Sequence, residues 1–358
     1  MKTSLKLSLF ALLGFVCLTN CAQPEQEGTT RLVSKVSQLE WSKNATIYEV
    51  NIRQFSEEGT IAKVQEQLPR LKDMGITILW LMPIHPIGEL NRKGGLGSYY
   101  AVQDYTGFAP EYGTKKDLQA FVDAAHELDM KVIIDWVANH TAWDSPWTEN
   151  KAWYELDEDG GFMPPRGTDW SDVIQLDYEN QEMRQAMIDA MVYWVEEHDI
   201  DGFRCDVAGM VPTDFWVTAV EALNQVKPVF MLAEDGGPEL VTEAFQMNYA
   251  WQYAHDIREM ARGERTIDDI VNLLEEQDAQ HPATAYRMYF TSNHDENSWK
   301  GSDPELFGDN FENFAVLSAT ISGMPLIYNG QESGLDKRLE FFEKDPIDWK
   351  EYKYEAFY

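Results

Sequence analysis

From Trp41 onward the sequence alternates between short apolar runs and amphipathic stretches, and this alternation constrains the fold more than any other feature. Eight runs read as strands. They are Ala45 to Phe55, Ile76 to Ile84, Lys131 to Val137, the Gly-Phe start of the stretch Asp201 to Ala208, Val229 to Ala233, a weaker Met247 to Tyr253, Tyr286 to Thr291, and Pro325 to Asn329. Ile76 to Ile84 is almost continuously apolar, as a strand covered on both faces must be. Helical spacing fills the intervals. Ile61, Val64, Leu68 and Leu71 share one face of Thr60 to Met74, and Leu118, Phe121, Val122, Ala125 and Leu128 share a face behind the capping box Thr114/Asp117. Further helices are expected over Gln181 to His198, Thr213 to Gln225, Glu239 to Phe245, Thr266 to about Glu276 and Glu312 to Ser322. Eight parallel strands satisfy their edges by closing, so the pattern predicts a (β/α)8 TIM barrel. An open doubly wound sheet is the alternative, but no Gly-x-Gly-x-x-Gly turn follows the first strand.

One connection is out of proportion. Between the third strand and about Asn180 the chain makes a long excursion holding Trp143, Trp147, Trp153 and Trp170. Loops of that length are usually functional, and residues 141–180 are expected to form a small domain of their own. At the start, Lys2 and Lys6 precede an apolar run from Leu7 to Leu18, the pattern of a signal peptide. Leu18-Thr19-Asn20-Cys21 follows, similar to a bacterial lipoprotein cleavage site with Cys21 as the lipidated residue. The expectation is a lipid-anchored protein of a bacterial envelope, on the surface or the periplasmic face, with 22–40 as a flexible tether. The last residues, Asp345 to Tyr358, read as the start of an eighth helix that stops mid-pattern, as in a fragment of a longer protein. A net charge of −32, from 61 acidic and 29 basic residues, repels phosphate backbones and argues against a nucleic-acid partner.

Barrel active sites form where the strands end at their C-termini. Polar residues collect at those ends: Asp135 and Asn139-His140 after the third strand, Arg204 and Asp206 after the fourth, Glu234-Asp235 after the fifth, Asn293-His294-Asp295 after the seventh. Each alone would serve as a helix cap, a solvated loop residue or a core histidine. Together they predict one rim of converging carboxylates and imidazoles. Arg204 and Asp206, two residues apart, share a strand face, and the guanidinium is expected to keep Asp206 ionised as a nucleophile. Two flanking carboxylates are what glycoside hydrolysis needs, with close spacing leading to a covalent intermediate and retained configuration.

DWVANH (Asp135 to His140), GFRCDVA (Gly202 to Ala208), Ala233-Glu234 and NHD (Asn293 to Asp295) occur in this order, and they resemble the four signature regions of the α-amylase family, glycoside hydrolase family 13. GITILWLMPI (Gly75 to Ile84) and GMPLIYNGQE (Gly323 to Glu332) resemble its second and eighth strands. The resemblance implies that Asp206 is the nucleophile, Glu234 the acid/base and Asp295 the third carboxylate. It implies that Arg204 supports Asp206, that Asp135 braces Arg204, and that His140 and His294 bind the sugar at the cleaved bond. It implies a tyrosine stacked under that sugar, Tyr100 or, with the register slipped by one, Tyr99. Many relatives hold calcium beside the excursion, with Asn139 as the matching ligand; Asp144, Asp157, Asp159, Asp169 and Asp172 supply further oxygens of the type calcium prefers, and the chemistry itself needs no cofactor. Starch or malto-oligosaccharides are the implied substrates. An α-glucosidase, a pullulan-type hydrolase, a glucosyl transferase and a non-catalytic glycan-binding homologue remain open. Two departures stand out: Gly209-Met210 replaces the Lys-His pair that many relatives carry after the nucleophile, and IQLDY (Ile174 to Tyr178) only loosely matches the family's specificity motif.

Overall fold

The computed structural model describes residues 32–358. Cys21 and the signal segment lie outside the described residues. Among the described residues no helix is long and apolar enough to cross a membrane.

Eight parallel strands close into a barrel: β1 (Ile47–Val50), β2 (Ile78–Leu81), β3 (Lys131–Trp136), β6 (Gly202–Cys205), β7 (Phe230–Ala233), β8 (Met247–Tyr249), β9 (Tyr286–Tyr289) and β10 (Met324–Tyr328), which returns to β1. The two missing numbers are β4 (His140–Ala142) and β5 (Val173–Gln175), an antiparallel pair inside the excursion. The expected (β/α)8 TIM barrel is therefore the observed fold. Alternation sorts the side chains. Ile47, Ile78, Trp80, Ile133, Phe230, Leu232, Met247, Tyr249, Met288 and Leu326 fill the barrel interior. Tyr48, Leu79, Leu81, Val132, Ile134, Phe203 and Met231 face the surrounding helices. The inward parity continues past the apolar layers to Glu49, Asp135, Arg204 and Glu234, which is how one barrel end becomes polar.

Local chemistry explains both agreements and departures. Both capping boxes form, Thr114 with Asp117 and Thr266 with Asp269. Helix Gln181–His198 starts at Asn180, whose side chain accepts the Glu182 and Met183 amides. The first strand is shorter than expected: Asn51 caps a helical turn over Ile52–Phe55 instead. Thr60 to Met74 splits into Ile61–Gln65 and Leu68–Asp73. Pro69 is the cause, since its ring clashes with the carbonyl of residue 65 in a continuous helix. Strand β8 ends at Tyr249, and Trp251–Ala261 is a helix that buries Tyr253, Ala254 and Ile257. The segment from Asp345 to Tyr358 forms turns and a short 3-10 stretch at Lys350–Tyr352, not the expected eighth helix. Its Trp349 packs against Phe55 and donates to the Phe55 carbonyl at 2.9 Å. The expected tether also needs correcting at its end. Ser34 donates to the Val241 carbonyl, the Lys35 amide to that of Thr242 at 2.8 Å, and Gln38 to Gln246 and Thr284. Leu39 and Trp41 cover the apolar end of the barrel interior, so the docked part begins well before residue 40.

Gly202 opens β6 directly against the Phe230 backbone of β7. A Cβ there would sit 1.9 Å from the Phe230 carbonyl oxygen. Gly202→Ala must displace β7 backbone, and the cost of overpacking is about 1–3 kcal/mol or more. The expected outcome is a lowered Tm in thermal unfolding; an unchanged Tm would mean the strands can separate without cost.

Candidate active site

At the polar end of the barrel, Arg204 is 1% exposed and holds three carboxylates. Its Nη1 donates to Asp135 Oδ1 at 2.8 Å and to Asp206 Oδ1 at 3.2 Å, and its Nη2 lies 3.1 Å from Glu234 Oε2. Its Nε donates to Tyr249 Oη at 3.0 Å. The guanidinium also lies over the rings of Trp80, Tyr100 and Tyr249. Asp135 is completed by Trp80 Nε1 and Tyr100 Oη, each donating to Oδ2 at 3.1 Å. The arginine is thus saturated from below, while the side chains of Asp206 and Glu234 keep 11% and 13% exposure toward a cavity of about 430 Å³. Asp295, at 37%, stands on its lip.

The turn after β6 is conformationally costly. Val207 adopts φ 37° and ψ 46°, a left-handed conformation that a β-branched residue rarely takes. The turn aims the Val207 amide at Glu234 Oε2, 2.7 Å away. Glu234 therefore receives an amide and a guanidinium while remaining open to the cavity.

His294 and His140 have opposite electrostatics. Burial disfavours the charged form of His294, but Asp295 and Glu49 outweigh it and raise the imidazole to about 9. Its Nδ1 meets Glu49 Oε1 at 2.5 Å and its Nε2 meets Tyr100 Oη at 2.7 Å. His140 has no such carboxylate, so burial pushes it down to about 3 and it stays neutral. Asn139 Nδ2 donates to its Nδ1 at 3.2 Å. One histidine brings a positive charge to the site and the other brings a neutral ring.

The expectation that Arg204 holds Asp206 in the low carboxylate range does not survive. Burial, and then the charge of Glu234, push the Asp206 carboxyl well up, and Arg204 only partly opposes them. Burial raises Glu234 as well, against Arg204. One guanidinium is divided among three carboxylates and cannot neutralise them all. Two cations, Arg204 and His294, face Glu49, Asp135, Asp206, Glu234 and Asp295. Burial therefore raises the Glu49, Asp135, Asp206 and Glu234 carboxyls, and the Asp206–Glu234 pair loses its two protons in separate steps.

The structure brings His140, Asp206, Glu234 and Asp295 to one cavity, with Asp135, Arg204 and His294 buried behind them. It places Tyr100 on the cavity wall, its ring stacked 5.4 Å from His294. Tyr99 points away, under the Arg53 guanidinium at 4.0 Å and beside Asn51. The donors directly on Asn139 are neutral. Its amide pairs reciprocally with that of Gln175, with contacts of 3.3 and 3.1 Å, so its oxygen is already used by a neutral donor. Of the expected carboxylates, Asp144 accepts the Glu89 and Leu90 amides through Oδ2 while its buried Oδ1 has no partner, Asp157 accepts the amides of Asp159 and Gly161, and Asp172 pairs with Lys93. A hard cation wants several charged oxygens, and the partners of Asn139 itself are an amide and an imidazole.

The alpha-amylase catalytic-domain family matches residues 37–170 and 167–355. The chain belongs to the alpha-amylase family. The matched region is that family's catalytic domain. The chain is 26% identical to an alpha-amylase of Haloarcula japonica over 324 residues, which is 86% of this chain but 47% of that protein. An alpha-amylase of Dictyoglomus thermophilum is also 26% identical, over 86% of this chain and 68% of its own length. The chain thus spans between about half and two thirds of these curated relatives. Among solved structures, an alpha-amylase from Lactobacillus plantarum is 41% identical with a TM-score of 0.80, covering 85% of this chain and 75% of that one. A noncanonic maltogenic alpha-amylase from Thermotoga neapolitana is 38% identical with a TM-score of 0.80, over 86% and 72%.

Several residues in or behind the cavity are not singled out by the sequence. Glu49 was legible in principle, as a charge at an inward position of an otherwise apolar strand. Trp299, Phe341 and Phe342 were not, because they arrive on irregular segments without periodicity. Of the four excursion tryptophans only Trp170 lines the cavity; Trp147 packs on Trp153 and on Tyr105, and Trp143 donates to the Ser171 carbonyl.

The raised His294 has a consequence for stability. Its charged form stabilises the fold fully below the unfolded value near 6.5, and that contribution is lost as pH rises through about 9. Glu49→Gln removes one of the two carboxylates that raise it. NMR titration of His294 should show a midpoint near 9 in the wild type and a lower one in the variant, with a flatter fall of Tm over that window.

Proposed function

We propose that the protein is a retaining α-glucan hydrolase acting on α-1,4 bonds of starch or malto-oligosaccharides through a covalent glycosyl intermediate. The observation that carries this reading is the single guanidinium bridging Asp206 and Glu234 at the cavity floor, with Asp295 on the lip. Retention needs two carboxyls close enough for one to attack the sugar carbon while the other serves the leaving oxygen. The reaction starts from one proton on the pair, with Glu234 protonated and Asp206 ionised by Arg204 against burial and the Glu234 charge; protonating Glu234 removes the second of these.

Asp206 attacks the anomeric carbon as Glu234 gives its proton to the glycosidic oxygen, and the leaving chain departs as an alcohol. Water then gives a proton back to the Glu234 carboxylate while its oxygen bonds the anomeric carbon and displaces Asp206. The excess of carboxylates favours the positive charge that develops on the ring in both steps. Neutral His140 lines the cavity and can meet sugar hydroxyls, Tyr100 offers a flat face, and His294, its two nitrogens held by Glu49 and Tyr100, acts through its charge and by holding that tyrosine. Relatives that transfer sugars share the family, among them a trehalose synthase of Pimelobacter 32% identical over 56% of this chain. Hydrolysis and transfer differ only in which acceptor meets the intermediate.

Asp206→Asn removes the nucleophile's charge without changing its shape. Soluble starch should yield α-anomeric oligosaccharides by NMR with the wild type, and activity should fall on the order of ten-thousand-fold in the variant. Initial β-anomers would sink the retaining mechanism. We also propose that Cys21 anchors the protein by lipid to a bacterial envelope, on the strength of the basic-apolar start and the Leu18 to Cys21 sequence. Fractionation of cells making Cys21→Ser should move the protein from membrane to soluble fractions; membrane retention of the variant would refute the anchor.

A further inference from the structure

Three aromatic rings stand at one side of the catalytic cavity: Trp299, Phe341 and Phe342. Phe341 stacks on Tyr100 with centroids 6.3 Å apart and planes at 15°, lies 5.3 Å from Trp299, and meets Tyr99 edge-on at 5.3 Å. Phe342 adds a ring 6.0 Å from Trp299. The rings form a continuous wall directly beyond the tyrosine that faces the reacting sugar. The same rings also line a shallower surface depression of about 360 Å³ with Gly94, Ser298 and Arg338, so the wall is one side chain thick.

The segment carrying Phe341 and Phe342 is held firmly. Buried Gln54 donates to the Glu340 and Glu343 carbonyls at 2.9 and 2.7 Å and accepts the Asp345 amide at 2.5 Å. Buried Arg53 donates to the Gly97 carbonyl at 3.0 Å and the Phe341 carbonyl at 3.3 Å. The Leu96 amide donates to the Phe342 carbonyl at 2.9 Å, and the Gly95 amide to Glu343 Oε1 at 2.5 Å. The loop after β2 and the loop after β10 are thereby joined into a bridge across the top of β1. Backbone bonds to two buried side chains make this a fixed wall, not a swinging flap.

Its position gives it a direction. In the barrel order, β1 and β7 lie on opposite sides. Glu234, which gives its proton to the leaving group, follows β7. The leaving chain therefore departs on the β7 side, and the wall blocks the other side, where the retained sugar would otherwise continue into the polymer.

We propose that this aromatic bridge closes the retained-sugar side of the active site, so that the enzyme takes non-reducing chain ends and releases glucose or maltose rather than cutting within chains. The inference rests on the hydrolase reading above and deepens it to a substrate class, α-1,4-glucans with free non-reducing ends.

The test compares two malto-oligosaccharides of equal length, one free and one capped at its non-reducing glucose by a cyclic acetal. A closed site should cut the capped substrate about 100-fold more slowly, the order of discrimination a shaped pocket achieves. Glucose or maltose should be the first product from amylose, while its iodine colour falls slowly. Equal rates on both substrates, with long early products, would overturn the closed-end inference and leave α-glucan hydrolysis standing. Hydrolysis of neither would overturn the hydrolase reading and this one with it. The double variant Phe341→Ala, Phe342→Ala should bring the capped-to-free ratio toward unity; an unchanged ratio in a folded variant would show that the rings do not form the barrier. Should that variant not fold, the wild-type comparison decides alone.

Discussion

Arg204 is the group on which the site depends. It is nearly inaccessible, yet it reaches Asp135, Asp206 and Glu234, which come from three different strands or strand ends. A charge in that position is tolerable only because each of its nitrogens has a partner and its planar face lies among aromatic rings. A lysine could not reproduce it, having one point charge where the fork makes several directed contacts. The arginine fixes the spacing of the two carboxylates that face the cavity, and spacing decides the chemistry.

The same arrangement leaves the site rich in acid. Burial, only partly opposed by Arg204 and His294, raises the Glu49, Asp135, Asp206 and Glu234 carboxyls. For a structural cluster such crowding would be a cost. In the proposed reaction it is useful, because an acidic surround favours positive charge developing on the bound group. The strained turn at Val207 belongs to the same design, spending backbone strain to give Glu234 its amide.

Much of this was readable from the chain. The strand–helix alternation implied a closed barrel, and the polar residues at strand ends fell where the inward parity of β1, β3, β6 and β7 continues beyond the apolar layers. Parity is a local property, so it survives in sequence. Element ends were less legible. Asn51 turned the first strand into a helix by offering its side chain as a cap, and Pro69 split the first long helix. Trp251 to Tyr253 read as the end of a strand because Trp251 and Tyr253 are aromatic, and only packing of Tyr253, Ala254 and Ile257 decided for the helix Trp251–Ala261.

The sequence by itself determined the barrel, the family and the order of the chemical groups along the chain, because periodicity and motif spacing are written in neighbouring residues. Tertiary structure alone decided the rest. That Arg204 must serve three carboxylates, and so cannot hold Asp206 low, depends on distances between residues far apart in the chain. That Asn139 is answered by Gln175 depends on the pairing of β4 with β5 inside the excursion. That Phe341 stands beside Tyr100 depends on a loop held by Gln54 and Arg53 from the other end of the sequence, a contact that follows from closure of the barrel, which brings the first and last strands together. No local pattern encodes either.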